Sequence, residues 1–309
     1  MKIGMVGAGH WSTPYAKAAQ ALGSEICCIY TPDNSGAELA QTIGSRTAAS
    51  ADDVFQNADC VLIGTPTDTH TDLLKKAAAA GKPILCASPA AASTEQLAEL
   101  KTLTTAPVYC SFPFRARPEY QKLKSAMQAG DLGTIGMIRL GICLSRPDGW
   151  RAEVSRSGGA IIDSGVHAID LLQWLSGKIT RIYGAASKNA GMQYNLLMAR
   201  TADDSIAHLE ISWVEAPGSA FEYYEVAGSN GLLDYDTRRE PLLVLESHGS
   251  NRQEQLFPGA SAAQHELAAF LKTVAGEKTD FPTLAHGLEV SATALEVAKA
   301  VKNGAVLNL

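Results

Sequence analysis

The run KIGMVGAGHWS at residues 2–12 constrains the fold more than any other segment. A short apolar strand, 2–7, leads directly into Gly7 and Gly9, and a helical pattern over 11–22 follows at once. Glycine at those two places lets the backbone turn sharply and approach a bulky anion with no Cβ in the way. The helix start then presents backbone amides at His10 and Trp11, and a favourable dipole, to that anion. Strand, glycine turn and helix in this order open a dinucleotide-binding βαβ unit, in which Gly7 and Gly9 hold the pyrophosphate. The third glycine of the GxGxxG pattern is Ser12 here, at a position that serves close packing of helix on strand. An ordinary strand–helix turn is the plainer alternative.

The same alternation continues to about residue 115. Strands are expected at 25–30, 59–65, 83–87 and 107–112. Helices are expected near 34–43, 69–80 and 93–104, the last capped by Ser93 or Thr94. That pattern predicts a parallel sheet with helices on both faces. The rhythm then changes. A helix over 117–129 ends near Gly130, and long strands follow at 135–144 and 205–214. In the second of these Ala207, Leu209, Ile211 and Trp213 alternate with more polar neighbours, the period of a sheet covered on one face. FEYYEVAG, SNG and LLDYD read as a hairpin. Helices at about 260–275 and 283–303 close the chain. The expected architecture is an α/β domain over 1–115, then an α+β domain over 116–309 with a mainly antiparallel open sheet.

Composition agrees with two domains, since 309 residues exceed what one hydrophobic core organises. Charged residues at 19% and hydrophobic residues at 46% suit a soluble globular chain. With 26 basic and 32 acidic residues the net charge is −6, and no basic stripe offers itself to a phosphate backbone, so nucleic acid is not an expected partner. No apolar run approaches the ~20 residues that span a membrane. The first strand meets glycines within a few residues and makes a poor signal peptide. The six cysteines show no CxxC and no ligand-like grouping with histidine, so reduced thiols in a cytoplasmic protein are expected, and no metal.

The chemistry concentrates in SGGAIIDSGVHAIDLLQWLSG, 157–177. Read as one helix, it places Asp163, His167 and Asp170 at i, i+4 and i+7, on one face. An imidazole beside a carboxylate is an acid/base pair, and together with a dinucleotide turn it suggests hydride transfer. The plainer readings are a histidine packed at a domain seam, Asp163 as a helix N-cap, and Asp170, otherwise a candidate for substrate contact, as an orienting or structural partner. The preceding loop, 145–159, carries Arg146, Arg151, Arg156 and Trp150. A sugar can stack on Trp150, and a guanidinium can take a carboxylate; a solvated loop with scattered charge is the reading preferred. At the end of the second strand an acidic residue would hold the ribose hydroxyls of NAD. That position is Thr31, with Asp33 behind Pro32 and Arg46 as a candidate for a 2′-phosphate, so NAD and NADP both stay open.

These residues resemble the Gfo/Idh/MocA family of glucose–fructose oxidoreductases and inositol dehydrogenases over nearly the whole chain. GAGHWS resembles its cofactor turn. TPTDTH, 65–70, resembles its TPxxxH strand end, where Thr65, Pro66 and His70 would border the cofactor; His70 reads equally as a helix-start residue. RARPEY, 115–120, resembles its entry to the second domain, with Arg115 a candidate for substrate contact. DSGVHAID resembles its DxGxHxxD helix. The resemblance implies a Rossmann domain, a substrate domain whose open sheet pairs copies into homodimers or homotetramers, and NAD or NADP as cofactor. It implies an NAD(P)-dependent dehydrogenase or reductase acting on a sugar, cyclitol or related hydroxy compound, with His167 as acid/base and Asp163 beside it. The family's Glu-Lys-Pro is Ala87, Ser88 and Pro89 here. The lysine's charge, which would stabilise a developing alkoxide, is replaced by a neutral hydroxyl near the nicotinamide. Two alternatives remain: a redox-neutral, NAD-using, glycosidase-like enzyme, and a non-catalytic binding or regulatory member that has lost the lysine.

Overall fold

The computed structural model describes residues 1–103, 106–187, 189, 192–239, 242–247, 250–255 and 260–309, the stretches 242–247 and 250–255 as backbone only. The chain divides into two compact units, 1–116 with 260–291 and 117–259 with 292–309.

In the first unit strands and helices alternate: β1 (Lys2–Val6), α1 (Ser12–Ala21), β2 (Glu25–Tyr30), α2 (Ala37–Ile43), β3 (Arg46–Thr47), α3 (Ala51–Asn57), β4 (Cys60–Ile63), α4 (His70–Ala79), β5 (Ile84–Cys86), α5 (Thr94–Leu100) and β6 (Val108–Cys110). The sheet order is β3-β2-β1-β4-β5-β6, with every neighbouring pair parallel. Such a sheet must be covered on both faces, and the strands comply: all of Cys60–Ile63 are buried. One face closes on α3 because residue 4 is glycine; a Cβ there would lie 2.4 Å from Val54 Cγ1. Ser50 and Ser93 cap α3 and α5 by accepting from Asp53 N and Gln96 N. Past Leu100 the expected helix tightens into a 3₁₀ turn over Lys101–Leu103, and residue 104 lies outside the described residues.

The second unit carries α6 (Pro118–Ala129), β7 (Ile135–Ser145), α7 (Gly149–Ala152), α8 (Val154–Ser157), α9 (Ala160–Asp163), α10 (Gly165–Ser176), β8 (Ile179–Ala186), β9 (Tyr194–Thr201), β10 (Ile206–Glu215), β11 (Phe221–Gly228), β12 (Gly231–Asp236), β13 (Leu242–Ser247) and β14 (Ser250–Gln255). Pro118 opens α6 and Gly130, at φ +78°, stops it. After β14 come α11 (Ala262–Val274), α12 (Leu284–Asn303) and β15 (Leu307–Asn308). The nine-stranded sheet runs β14-β13-β12-β11-β7-β10-β9-β8-β15. It is mainly antiparallel, as expected, with one exception: β7 and β10 pair in parallel at its middle. A parallel pair needs a long crossover, and the segment between them supplies one. Ile138, Leu140 and Ile142 of β7 and Ala207, Leu209 and Ile211 of β10 are buried on the covered face. On the other face Tyr183, Leu196 and Met198 are exposed.

Residues 260–291, assigned by sequence to the second domain, group with the first unit. The cause is packing. Leu267 and Phe270 of α11 share a core with Tyr15, Ala16 and Ala19 of α1 and with Ile3, Met5 and Leu62 of the sheet. Among the described residues no helix is long and apolar enough to cross a membrane.

Candidate functional site

The glycine turn of the first unit has two different glycines. Gly7 sits at φ +99°, and its amide donates to Tyr30 O at 2.9 Å. A Cβ on Gly7 would lie 2.4 Å from the carbonyl oxygen of Gly64, so only glycine fits there. A Cβ on Gly9 would meet nothing within 4 Å: the turn faces open space in front of α1. That opening, backed by a helix N-terminus, suits a pyrophosphate. His10 is exposed beside it. Trp11 directs its ring elsewhere, stacked on Tyr15 at 4.1 Å with Nε1 donating to Ser111 Oγ at 3.2 Å, so at the turn it offers backbone alone. Ser12 is fully buried against the exit of β4. A Cβ on Gly64 would lie 2.5 Å from Ser12 Oγ, so the third glycine has in effect moved to position 64.

At the end of β2, Thr31 Oγ1 accepts from Gly36 N at 2.9 Å. Asp33 accepts from Ser35 N and Ser35 Oγ at 3.1 and 2.7 Å, and these bonds hold its exposed carboxyl below the ordinary range. Arg46 is occupied. Its Nη1 and Nη2 each donate to Asp53 at 2.8 Å.

TPTDTH is tied down from within. Thr65 and Thr69 share a hydrogen bond of 2.7 Å, and Thr69 Oγ1 donates to Pro66 O at 2.7 Å. His70 is buried, with Nδ1 3.1 Å from Pro89 O and Nε2 3.0 Å from Thr65 O. It therefore bridges the exits of β4 and β5, and both polar atoms of its ring face backbone. Neutral imidazole carries one N–H, so protonation would add a bond; burial nevertheless wins and lowers the pKa. The unfolded chain then takes up a proton more readily, and His70 costs stability as pH falls below about 6.5, until the folded state itself protonates. In thermal melts between pH 7 and 5, wild type is expected to lose part of its margin over His70→Asn; a constant margin would contradict this. The loop that His70 pins continues through Ser88, whose Oγ is buried with no hydrogen-bond partner among the described residues.

In the second unit the expected helix over 157–177 is two helices broken at Ser164. Gly158 and Gly159, both at φ +78°, turn the chain into α9. The break follows from packing on β10: Trp213 Nε1 donates to Ser164 Oγ at 2.9 Å, and a Cβ on Gly165 would lie 2.7 Å from Ile211 Cδ1. His167 N then bonds Ser164 O at 3.2 Å, an i to i−3 link. Gly159 and Ser164 occupy the two N-cap positions, so Asp163 caps neither helix. Asp163 instead takes Arg151 in two prongs, Nε to Oδ1 at 3.1 Å and Nη2 to Oδ2 at 2.5 Å. Asp170 is buried on α10. His167 is half-buried. Burial depresses its pKa, Asp170 and Asp163 pull it up, Arg151 pushes it down, and the net direction is down.

The other expected residues are placed as follows. Arg115 lies in the first unit, Nη2 2.7 Å from His286 Nε2 and its guanidinium 5.9 Å from the Phe112 ring centre. Trp150 is on α7, half-buried. Sequence reasoning missed Gly64, whose signal was a glycine directly after a strand. It also missed Glu266, which accepts from Phe112 N at 2.6 Å, Ser111 Oγ at 2.7 Å and Tyr15 OH; nothing in the sequence marks a pairing across 154 residues.

Two family models match this chain. Residues 1–107 match an oxidoreductase family with an NAD-binding Rossmann fold, and residues 120–234 match the GFO/IDH/MocA C-terminal domain. The myo-inositol dehydrogenase Hyg17 of Streptomyces leeuwenhoekii is 29% identical over 91% of this chain and 90% of its own length. The rhizopine catabolism protein MocA of Rhizobium meliloti is 30% identical, over 57% of this chain and 57% of MocA. A solved levoglucosan dehydrogenase in complex with NADH superposes with a TM-score of 0.89 at 18% identity, covering 100% of this chain and 98% of that one, a likeness of fold. By both of its halves, the chain belongs to the GFO/IDH/MocA family of oxidoreductases, whose N-terminal domain is an NAD-binding Rossmann fold.

Proposed function

We propose that this chain is an NAD-dependent oxidoreductase that interconverts a secondary alcohol of a sugar, cyclitol or related hydroxy compound with its ketone, using His167 as the acid/base group. Gly7 and Gly9 would hold NAD, which when bound would supply the hydride acceptor; His167 would take the hydroxyl proton as the alcohol carbon loses its hydride and the C=O bond forms. What supports the reading is an imidazole on the same segment as Asp163 and Asp170, with burial lowering its pKa and the two carboxylates favouring the charge it would take up. Ser88 stands where the resemblance places a lysine, and offers one neutral hydrogen bond in place of a charge-assisted one. NAD is favoured over NADP because Arg46, the candidate for a 2′-phosphate, is held by Asp53, while the Asp33 carboxylate repels such a phosphate. The exposed face bearing Tyr183, Leu196 and Met198 is the surface on which copies would pair, read out by sedimentation.

Cofactor binding followed by fluorescence, then NADH formation across a polyol panel, tests the reading. NADH is expected to bind about tenfold or more tightly than NADPH, a difference of about 1.4 kcal/mol. NADH should accumulate with at least one polyol, and Ser88→Lys should raise the rate by about tenfold or more. Failure to bind either cofactor ends the reading. Glycoside turnover without net NADH would point to the redox-neutral alternative.

A further inference from the structure

Arg151 has no part in the reaction as just described, yet it grips Asp163, four residues before His167, by two hydrogen bonds. It rises from α7, and its guanidinium meets Asp163 fork to fork, the geometry in which arginine binds carboxylate most specifically. Ser164 Oγ donates to the same carboxylate at 3.1 Å and is itself held by Trp213 Nε1 at 2.9 Å. The Trp213 ring centre lies 6.0 Å from Arg151 Cζ, so one indole braces the pair from both ends. Both Asp163 oxygens are thereby taken. Among the described residues, Asp170 and Asp163 from its own segment and Arg151 from α7 are charged groups acting on the imidazole. The two carboxylates favour imidazolium, which cannot accept the proton of an alcohol; burial opposes them most strongly, and Arg151 opposes them further.

We propose that Arg151 is a positioning residue for the reaction: its two-pronged hold on Asp163 fixes that carboxylate and offsets its negative charge beside His167. This rests on His167 being the acid/base group. Arg151 touches neither reacting atom; it acts through Asp163. A base already protonated at neutral pH could not accept the proton of an alcohol.

The test is a titration of the full-length protein labelled with ¹⁵N-histidine, the His167 signals identified by their loss in His167→Gln. Wild-type His167 is expected to titrate below the ordinary value of about 6.5. Arg151→Gln should move the midpoint up by about one pH unit, Asp163→Asn should move it down, and Arg151→Lys, which keeps the charge, should stay near wild type. The acid limb of kcat/KM should follow the midpoint in each variant. An unchanged midpoint in folded Arg151→Gln overturns the proposal. If that variant does not fold, an unchanged or raised midpoint in Asp163→Asn overturns it. The titration needs no turnover, so the two readings fail separately. The expected shifts in a protein with no hydride transfer would support the charge arrangement and sink the proposed reaction. Transfer with no shift would sink the role of Arg151 alone.

Discussion

His167→Asn is expected to lower kcat/KM for alcohol oxidation by about 10²–10⁴-fold, the contribution of a positioned general base, while NADH binds as in wild type. The variant should also lose a feature of the pH profile. In wild type the base must be unprotonated, so the rate rises with pH through the His167 ionisation and is flat above it. Burial lowers that ionisation, which puts the acid limb below about pH 6.5 and leaves the enzyme fully competent at neutrality. Without the imidazole this limb disappears. A loss of less than about fivefold, with the limb intact, would remove His167 from the chemistry. Measuring NADH affinity on the same preparations separates a lost base from a lost cofactor.

The two glycines of the nucleotide turn are expected to fail in opposite ways. Gly9→Val adds atoms where nothing stands within 4 Å, so stability should stay within about 0.5 kcal/mol of wild type. Its side chain enters the space assigned to the pyrophosphate, and NADH affinity should fall about tenfold or more. Gly7→Ala places a methyl 2.4 Å from Gly64 O on a backbone at φ +99°, and should cost about 2–4 kcal/mol of stability before any question of binding arises. Chemical denaturation and a cofactor titration on both variants read the contrast. A Gly9→Val protein that binds NADH normally would move the dinucleotide away from this turn.

Most of the elements were legible because they depend on short-range periodicity and local turn chemistry. EICCIY became β2 at Glu25–Tyr30, the SNG turn joined β11 to β12, and the closing helix runs Leu284–Asn303. Ser93, one of two candidate caps, accepts from Gln96 N. Glycine-bounded apolar runs and S-x-x-Q caps are decided within a few residues, so one chain suffices to see them. His70 shows the boundary of that method. Its place in TPTDTH read equally as a helix start or a cofactor neighbour; it does open α4, and its ring bridges Thr65 O and Pro89 O, the second 19 residues away.

What the order of residues settled on its own was the type of each unit and the turn made for a dinucleotide: alternating strands and helices admit few folds, and a glycine after β1 has few uses. What required the folded chain was pairing at a distance. Trp213 reaches back 49 residues to Ser164 and breaks a helix that periodicity had drawn as continuous. Arg151, read as part of a solvated loop, closes on Asp163 instead. Ser12 is accommodated by a missing Cβ at Gly64, and Glu266 is buried against Ser111 and Phe112 from a helix that the sequence had placed in the other domain. Periodicity reports which way a side chain points along its own element; it carries no information on which residue of another element will be there to meet it.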